Sequence, residues 1–255
     1  MNNKINWRKV KESQDITKSG YCYIGKYLYL PISWFLAPLL IHLNITANHL
    51  TVSRFLISTI GAILIVLDAN ISVGIILIIV AYVFDVTDGS IARVTNSSSH
   101  LGKYIDSIAD IYIDFIVFPS IAILYFNTVL DIVWIYSALF YVLLTAFKFI
   151  IFYRFSLQKM ILNSDNTNLQ DDRYRPNKFV LFFDCFGSYN ACSLWMDVSH
   201  LLLIFLLFLD NFQMYLYGVL LLSIVVSVGG IFARFNRAYR VLNISKLSKS
   251  SHVLR

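Results

Sequence analysis

Residues 85–110 read DVTDGSIARVTNSSSHLGKYIDSIAD and place acidic side chains between two long apolar stretches. Those stretches run approximately over residues 72–93 and 102–124. Each is long enough to cross a bilayer as a helix, which takes about 20 residues. Carboxylates within such spans are energetically costly and are functional by default. This segment therefore predicts a helical membrane fold and the position of its functional site.

The composition of the whole chain supports a membrane protein. Of its 255 residues, 58% are hydrophobic and 14% are charged, and the mean hydropathy is +0.66. A soluble domain carries about 25% charged residues, so a soluble globular protein is excluded. Disordered, collagen-like and nucleic-acid-binding proteins are excluded too, because none of them tolerates so much continuous apolar sequence. The excess of 21 Lys and Arg over 15 Asp and Glu residues is typical of a cytoplasmic face beside anionic lipid.

The predicted fold class is an all-α integral membrane protein with six transmembrane helices. The six apolar stretches run approximately over residues 49–67, 72–93, 102–124, 131–153, 195–209 and 214–238. A seventh apolar stretch, residues 27–43, is interrupted by Pro31 and Pro38. We interpret it as an N-terminal interfacial amphipathic helix that lies along the membrane, and a seventh span is the alternative.

Three regions are expected along the chain. They are a cytoplasmic N-terminal segment with the interfacial helix at residues 1–44, a six-helix membrane domain at residues 45–240, and a basic cytoplasmic tail at residues 241–255. None of the 21 basic residues falls in the short turns near residues 68–70, 126–131 and 210–213. The positive-inside rule therefore places both termini and the loop at residues 94–101 in the cytoplasm. Chemistry within residues 85–110 would then face the cytoplasm.

Four carboxylates of this segment carry the candidate chemistry. Asp85 and Asp88 are three residues apart and Asp106 and Asp110 are four apart, so each pair lies on one face of a helix. The short link between the helices returns the chain antiparallel, and both pairs should converge. Four carboxylates in a low dielectric need cations, and oxygen-only ligands favour Mg²⁺, Mn²⁺ or Ca²⁺. The residues suggest metal-dependent attack on a phosphoryl centre, in which a remaining ionised carboxylate removes the proton of the attacking hydroxyl.

A structural role is the alternative for these acids. They could pair with Lys or Arg and bind no metal, but the two helices supply only Arg93 and Lys103 against five acids, counting Asp114. Asp114 lies one turn deeper than Asp110, and we expect it to hydrogen-bond to a neighbouring helix rather than to tune the site. Ala92 is small and shares the helix face of Asp85, so it permits the close approach of a backbone or a ligand.

The spacing of the segment resembles the signature of the CDP-alcohol phosphotransferases, also called CDP-alcohol phosphatidyltransferases. All eight fixed positions of that signature agree, in the order Asp85-x-x-Asp88-Gly89-x-x-Ala92-Arg93, eight residues, then Gly102-x-x-x-Asp106-x-x-x-Asp110. Residues 48–51 also resemble the entry to the first helix of that family, and six helices extend the resemblance to residues 45–240.

The resemblance implies a transferase of substituted phosphate groups that acts in phospholipid biosynthesis. Such an enzyme moves the group from a CDP-alcohol, here most simply CDP-diacylglycerol, to an alcohol acceptor and releases CMP. Two ions of Mg²⁺ or Mn²⁺ would be held by Asp85, Asp88, Asp106 and Asp110, and Asp110 would also be the catalytic base. Donor binding would involve Asn48, Thr51, Gly89, Arg93 and Ser99, while Ala92 and Gly102 would allow close approach. Asn48 and Thr51 have an equally weighted alternative as caps at a helix N-terminus.

The acceptor alcohol and its phosphorylation state are not determined by the sequence. A phosphorylated acceptor needs a second basic pocket, for which Lys148, Arg154, Arg234 and Arg237 are candidates, although positive-inside anchoring explains them equally well. The expected partners are a CDP-linked lipid, an alcohol, membrane lipids and, as an open option, a second copy of the chain, but not nucleic acid.

Two other functions use membrane carboxylates. An intramembrane prenyltransferase would need a second aspartate-rich cluster, and residues 140–240 contain none. A cation transporter would place its carboxylates near the bilayer midplane and break its helices there.

Overall fold

The apolar stretches of the sequence form helices in a computed structural model that describes residues 6–14, 23–164, 189–209, 211–229 and 231–232. Within these ranges the regular elements are all helical, which confirms the all-α class. They are α1 (Trp7–Glu12), a π-helical turn (Gly25–Tyr29), α2 (Leu30–His42), α3 (Ala47–Val66), α4 (Ile71–Val94), α5 (His100–Val129), α6 (Val133–Ser164), α7 (Tyr189–Leu209) and α8 (Phe212–Gly229).

Side-chain caps fix where the three helices of the predicted site begin. Thr46, Asn70 and Ser99 precede α3, α4 and α5, and each accepts a hydrogen bond from a backbone N–H of the first turn. Such caps satisfy donors that the helix itself leaves unpaired. The helix α3 therefore begins after Thr46, so the alternative that Asn48 and Thr51 are its caps is wrong.

The helix α3 packs against both α4 and α5. Its contact with α4 is closest at Gly61 and Gly74, where a Cβ atom built on either glycine would lie 2.7 Å from the carbonyl oxygen of the other. Only glycine permits this approach, since real Cβ atoms essentially never come so near a backbone oxygen. This crossing places the N-terminal half of α3 beside the acidic residues of α4 and α5.

The N-terminal helices pack behind α4. Val10 of α1 is fully buried against α2 and α4. The side-chain amide nitrogen of Gln14 donates to the hydroxyl of Ser90, and the indole nitrogen of Trp34 donates to the Gln14 amide oxygen over 2.7 Å. Ser33 lies 3.2 Å from the same Ser90 hydroxyl. The N-terminal segment is therefore attached to the helix that carries Asp85 and Asp88.

Four of the described helices are long and apolar enough to cross a membrane, namely α3, α4, α5 and α8. The described apolar parts of the two other predicted spans, Val133–Phe147 and Val198–Leu209, are shorter. A multi-pass membrane protein is thus supported, while the count of six spans stays a prediction. The helix α2 covers most of the predicted interfacial segment and continues through Pro38. Both its exposed face, with Phe35 and Leu39, and its buried face are largely apolar, so the amphipathic character predicted for it is not confirmed.

The chain divides into two compact units. The first comprises Met1–Val142 and Met196–Leu220, and the second comprises Leu143–Trp195 and Leu221–Arg255. All of the acidic residues discussed here belong to the first unit, where α3, α4 and α5 lie. In the second unit, the described residues lie on α6, α7 and the end of α8, together with residues 231–232. The predicted three-region division of the chain stays a prediction.

Candidate active site

The four signature carboxylates meet at one point, and we refer to Asp85, Asp88, Asp106 and Asp110 as the acid cluster. Asp85 and Asp88 lie in the last turns of α4, and Asp106 and Asp110 lie in the first turns of α5. One carboxylate oxygen from each of Asp85, Asp88 and Asp106 lies within 4.8 Å of the others, close enough to share a metal ion. The convergence predicted from their spacing is therefore present.

A third helix supplies the cation of this cluster. Arg54 of α3 is 1% exposed, and its guanidinium lies between the acids of α4 and α5. Its Nη1 lies 2.6 Å from Asp85 Oδ1 and 2.7 Å from Asp106 Oδ1. Its Nη2 donates to Asp110 Oδ1 over 2.6 Å, and Nη1 is 3.7 Å from Asp88 Oδ2. One buried arginine thus reaches every member of the acid cluster.

The alternative that the acids pair with basic residues is therefore partly realised, but by a residue that the sequence analysis missed. Arg54 entered the sequence analysis only as one of the 21 basic residues whose positions predict the orientation. A signal was present, because Arg54 follows Thr51 by three residues and shares its helix face inside an apolar span. An ionisable residue in such a span is functional by default, and this rule applies to Arg54 as well as to the acids.

Thr51 orients one of the acids. Its hydroxyl donates to Asp88 Oδ2 over 2.7 Å, and Thr51 is buried. Asp88 is itself buried, at 5% exposure, so this hydrogen bond fixes the carboxylate in place. Thr51 was predicted to contact the donor nucleotide, and that role stays a prediction. Its contact is with a candidate metal ligand, which is the kind of support that ligating carboxylates commonly have.

Gly89, which is partly buried, and Arg93, which is exposed, lie together on one side of α4. A Cβ atom at Gly89 would come within 3.3 Å of Arg93 Nη2, so the guanidinium folds over the glycine one turn before it. Arg93 is exposed, whereas Ala92 is partly buried. The absence of a side chain at Gly89 leaves room for the guanidinium.

Asn48 and Ser99 meet at the start of α5. A Cβ atom at Gly102 would lie 3.1 Å from Ser99 Oγ and 3.2 Å from Asn48 Oδ1. Ser99 also accepts the backbone N–H of Gly102 as the cap of α5. These three predicted residues therefore lie together at the N-terminal ends of α3 and α5, and a larger residue at position 102 would crowd Ser99 and Asn48.

The oxygen chemistry of the acid cluster suits a divalent cation. Its potential ligands are carboxylates, which hard cations such as Mg²⁺ and Mn²⁺ prefer. The side chains of Asp106 and Asp110 are 42% and 49% exposed, so the cluster is open on the α5 side and closed by Arg54 on the α3 side. Asp114 lies one turn further along α5, is partly buried and has at least one polar or electrostatic partner. The hydrogen bond predicted from Asp114 to a neighbouring helix stays a prediction.

The four candidate acceptor residues fall outside what the structure describes at side-chain level. Lys148 and Arg154 lie on α6, for which only the backbone is described at these positions. Arg234 and Arg237 lie beyond the described residues. The basic acceptor pocket therefore stays a prediction.

Comparison with known proteins gives the family. The sequence profile described as CDP-alcohol phosphatidyltransferase matches residues 44–225, which is most of the chain. A curated relative is the "Bifunctional IPC transferase and DIPP synthase" of Thermococcus kodakarensis, 31% identical over 121 residues. That alignment covers 48% of this chain and 27% of the relative, so the chain matches about a quarter of the length of that protein.

Proposed function

Because the chain belongs to the CDP-alcohol phosphatidyltransferase family, we propose that it transfers a substituted phosphate group from a CDP-alcohol to an alcohol acceptor. The donor we propose is CDP-diacylglycerol, the second product is CMP, and the setting is phospholipid biosynthesis. The observation that carries the proposal is the acid cluster, whose four carboxylates belong to the eight signature positions and converge on one point.

The acid cluster has the composition that a family of metal-dependent transferases needs. When bound there, two ions of Mg²⁺ or Mn²⁺ would neutralise the donor diphosphate and polarise its phosphorus. We propose all four aspartates as their ligands. Thr51, which bonds to Asp88, and Arg54 hold these carboxylates in position, and their contacts would prevent the carboxylates from moving apart.

We propose Asp110 as the base that takes the proton of the acceptor hydroxyl. Its half-exposed side chain allows an alcohol to reach it, which the buried Asp88 does not. The acceptor oxygen then attacks the phosphorus that carries the diacylglycerol group. The new phosphorus–oxygen bond forms, the bond from that phosphorus to the bridging oxygen breaks, and CMP leaves with the electron pair.

Donor recognition is proposed for the polar groups that flank the acid cluster. Arg93 over Gly89 offers a planar guanidinium to phosphate oxygens, and Asn48 with Ser99 offers hydrogen-bonding groups for the nucleotide. Lys148, Arg154, Arg234 and Arg237 remain the proposed contacts of a phosphorylated acceptor.

We propose that the active site and both termini face the cytoplasm, and that residues 45–240 form the membrane domain. The positive-inside distribution of the 21 basic residues supports this orientation. A cytoplasmic site would meet CDP-linked donors and water-soluble acceptors on the same side of the membrane.

The acceptor is found by incubating purified protein in nanodiscs with CDP-diacylglycerol, Mg²⁺ and one alcohol at a time. Glycerol phosphate, serine, inositol and inositol phosphate form the first panel, and choline and ethanolamine the second. The lipid product is identified by mass, and CMP is measured in parallel. A product whose mass is the sum of donor and acceptor less CMP supports the proposal. No CMP release with any acceptor would reject it.

A further inference from the structure

The guanidinium of Arg54 and a metal ion would approach the acid cluster from opposite sides. Arg54 comes from the buried α3 side, whereas Asp106 and Asp110 are open on the α5 side. Its Nε donor is buried and has no acceptor among the described residues, so the side chain is held by its two terminal nitrogens and their carboxylate partners. The Arg54 side chain is therefore held in a fixed position on the α3 side of the acid cluster.

The contacts of Arg54 leave ligand atoms available. Arg54 uses Oδ1 of Asp85, Asp106 and Asp110. A carboxylate has two oxygens, so each of these aspartates has a second oxygen that lies outside its Arg54 contact and could bind a cation. The arginine and a metal ion can thus be bound by the same carboxylates at the same time.

The charge of the cluster then limits how many cations it binds. Carboxylates bind metals in their ionised form, and four ionised carboxylates with one guanidinium would carry three negative charges, which one divalent cation would reduce to one. A second divalent cation would make the site positive, and charges a few ångströms apart in a partly buried site repel strongly. A diphosphate group brings the negative charge that removes this repulsion.

We propose that Arg54 is a positioning residue that weakens cation binding to the acid cluster until the CDP donor is bound. The inference rests on the proposed function, because it is the donor diphosphate that completes the charge balance. Donor and cation then strengthen the binding of each other, and this coupling is reciprocal by thermodynamic necessity. Arg54 acts on the cations through the shared carboxylates and through its charge.

The test is a Mn²⁺ titration of the metal-free protein, followed by electron paramagnetic resonance, in nanodiscs of neutral phosphatidylcholine. Each titration is run with and without CDP, which carries the diphosphate but no group to transfer. Arg54→Gln removes the charge and keeps a hydrogen-bond donor. Without CDP, this variant should bind Mn²⁺ at least tenfold more tightly than the wild type, and CDP should add less tightening than in the wild type.

Arg8→Gln is the matched control, because Arg8 is an exposed arginine of α1 whose charge is lost in the same way. It should leave the Mn²⁺ affinity unchanged. Since Mn²⁺ also binds CDP in solution, variants are compared at one CDP concentration. A tightening of less than tenfold in Arg54→Gln, or a weakening, would overturn the proposal.

Two further measurements test the proposal even if Arg54→Gln does not fold. Arg54→Lys loses the planar group that bridges three carboxylates but keeps the charge. Because the charge is kept, its Mn²⁺ affinity should stay within threefold of the wild type, and a tenfold tightening would contradict a role of charge. In the wild type, CDP should raise the number of Mn²⁺ ions bound per chain at fixed free Mn²⁺. An equal number with and without CDP would overturn the proposal. CMP release by the wild type is measured separately. If the wild type releases CMP but Arg54→Gln binds Mn²⁺ with unchanged affinity, this inference alone is rejected. If the wild type releases no CMP but Arg54→Gln binds Mn²⁺ at least tenfold more tightly, the proposed function alone is rejected.

Discussion

The residues of the acid cluster differ in how they are held and how far they are exposed. Asp88 is buried and accepts a hydrogen bond from the Thr51 hydroxyl, whereas Asp110 is half exposed and accepts a hydrogen bond from the Arg54 guanidinium. A buried, hydrogen-bonded carboxylate suits a fixed metal ligand, and an accessible one suits proton transfer with a substrate. The two roles we propose follow from this difference.

Thr51→Val tests the support of Asp88. Valine has a similar shape but no hydroxyl, so Asp88 loses its donor while the packing is kept. Loss of such a supporting contact typically costs about 10–100-fold in metal affinity or activity. We expect a loss in that range, measured as the Mg²⁺ concentration for half-maximal CMP release. Thr51→Ser restores the hydroxyl and should recover most of the loss, and a fully active Thr51→Val would contradict the assignment.

Asp110→Asn and Arg93→Lys separate chemistry from donor binding. Removing the proposed base should lower the single-turnover rate by about 10²–10⁴-fold while most CDP-donor affinity is retained at high Mg²⁺. Arg93→Lys keeps the charge but loses the planar fork, so it should weaken donor binding. Donor binding and single-turnover rates are measured at several Mg²⁺ concentrations. Loss of donor binding at every concentration in Asp110→Asn, together with normal binding in Arg93→Lys, would show that the roles are wrongly divided.

At the scale of helices, the site depends on how α3 crosses α4. Spacing along the sequence was sufficient to place Asp85, Asp88, Asp106 and Asp110 on two helix faces that converge. It was not sufficient to identify Arg54 as their partner, because that contact depends on which helix packs against both α4 and α5. The bond from Gln14 to Ser90 joins residues 76 positions apart and was likewise beyond a reading of local patterns.

Gly61→Ala tests this crossing. The added methyl group would lie 2.7 Å from the carbonyl oxygen of Gly74, a backbone atom that cannot turn away. Such overpacking typically costs about 1–3 kcal/mol. We expect a lower unfolding temperature in detergent and reduced CMP release.

Gly218→Ala is the control for the same substitution in another helix. Its methyl group would meet the end of the Leu202 side chain at 2.9 Å, and that side chain can change its rotamer. The unfolding temperature of this variant should change less than that of Gly61→Ala. If both variants unfold at the wild-type temperature, α3 and α4 do not approach as closely as described.

At the scale of the whole molecule, orientation in the membrane is the main prediction still to be tested. It rests on the positions of the basic residues, which the sequence provides directly, whereas the number of spans depends on helices of which only part is described. The family and the all-helical fold were predictable because the composition and the eight-position motif can both be taken directly from the sequence, without knowing which helices pack together. The acceptor was not, because its candidate residues lie in separate parts of the chain.

Cysteine labelling tests the orientation. In a background in which Cys22, Cys185 and Cys192 are replaced by serine, Ala69→Cys and Ser98→Cys place thiols in exposed turns at opposite ends of α4. An impermeant thiol reagent should label the first variant in sealed cells and the second only after the membrane is opened. Labelling of Ser98→Cys in sealed cells would put the acid cluster on the outer face.

CMP release from CDP-diacylglycerol, with the acceptor found above, shows whether the acid cluster performs transfer from a CDP-alcohol. Asp106→Asn should abolish release at saturating Mg²⁺, and Asp85→Asn combined with it should do no further harm, because the ligands act as a unit. Asp68→Asn is the matched control, since Asp68 lies in an exposed turn with φ 52°, which asparagine adopts readily. Asp68→Asn should release CMP at the wild-type rate and Asp106→Asn should release none, with both proteins inserted in the membrane. Substantial release from Asp106→Asn would contradict this role of the acid cluster.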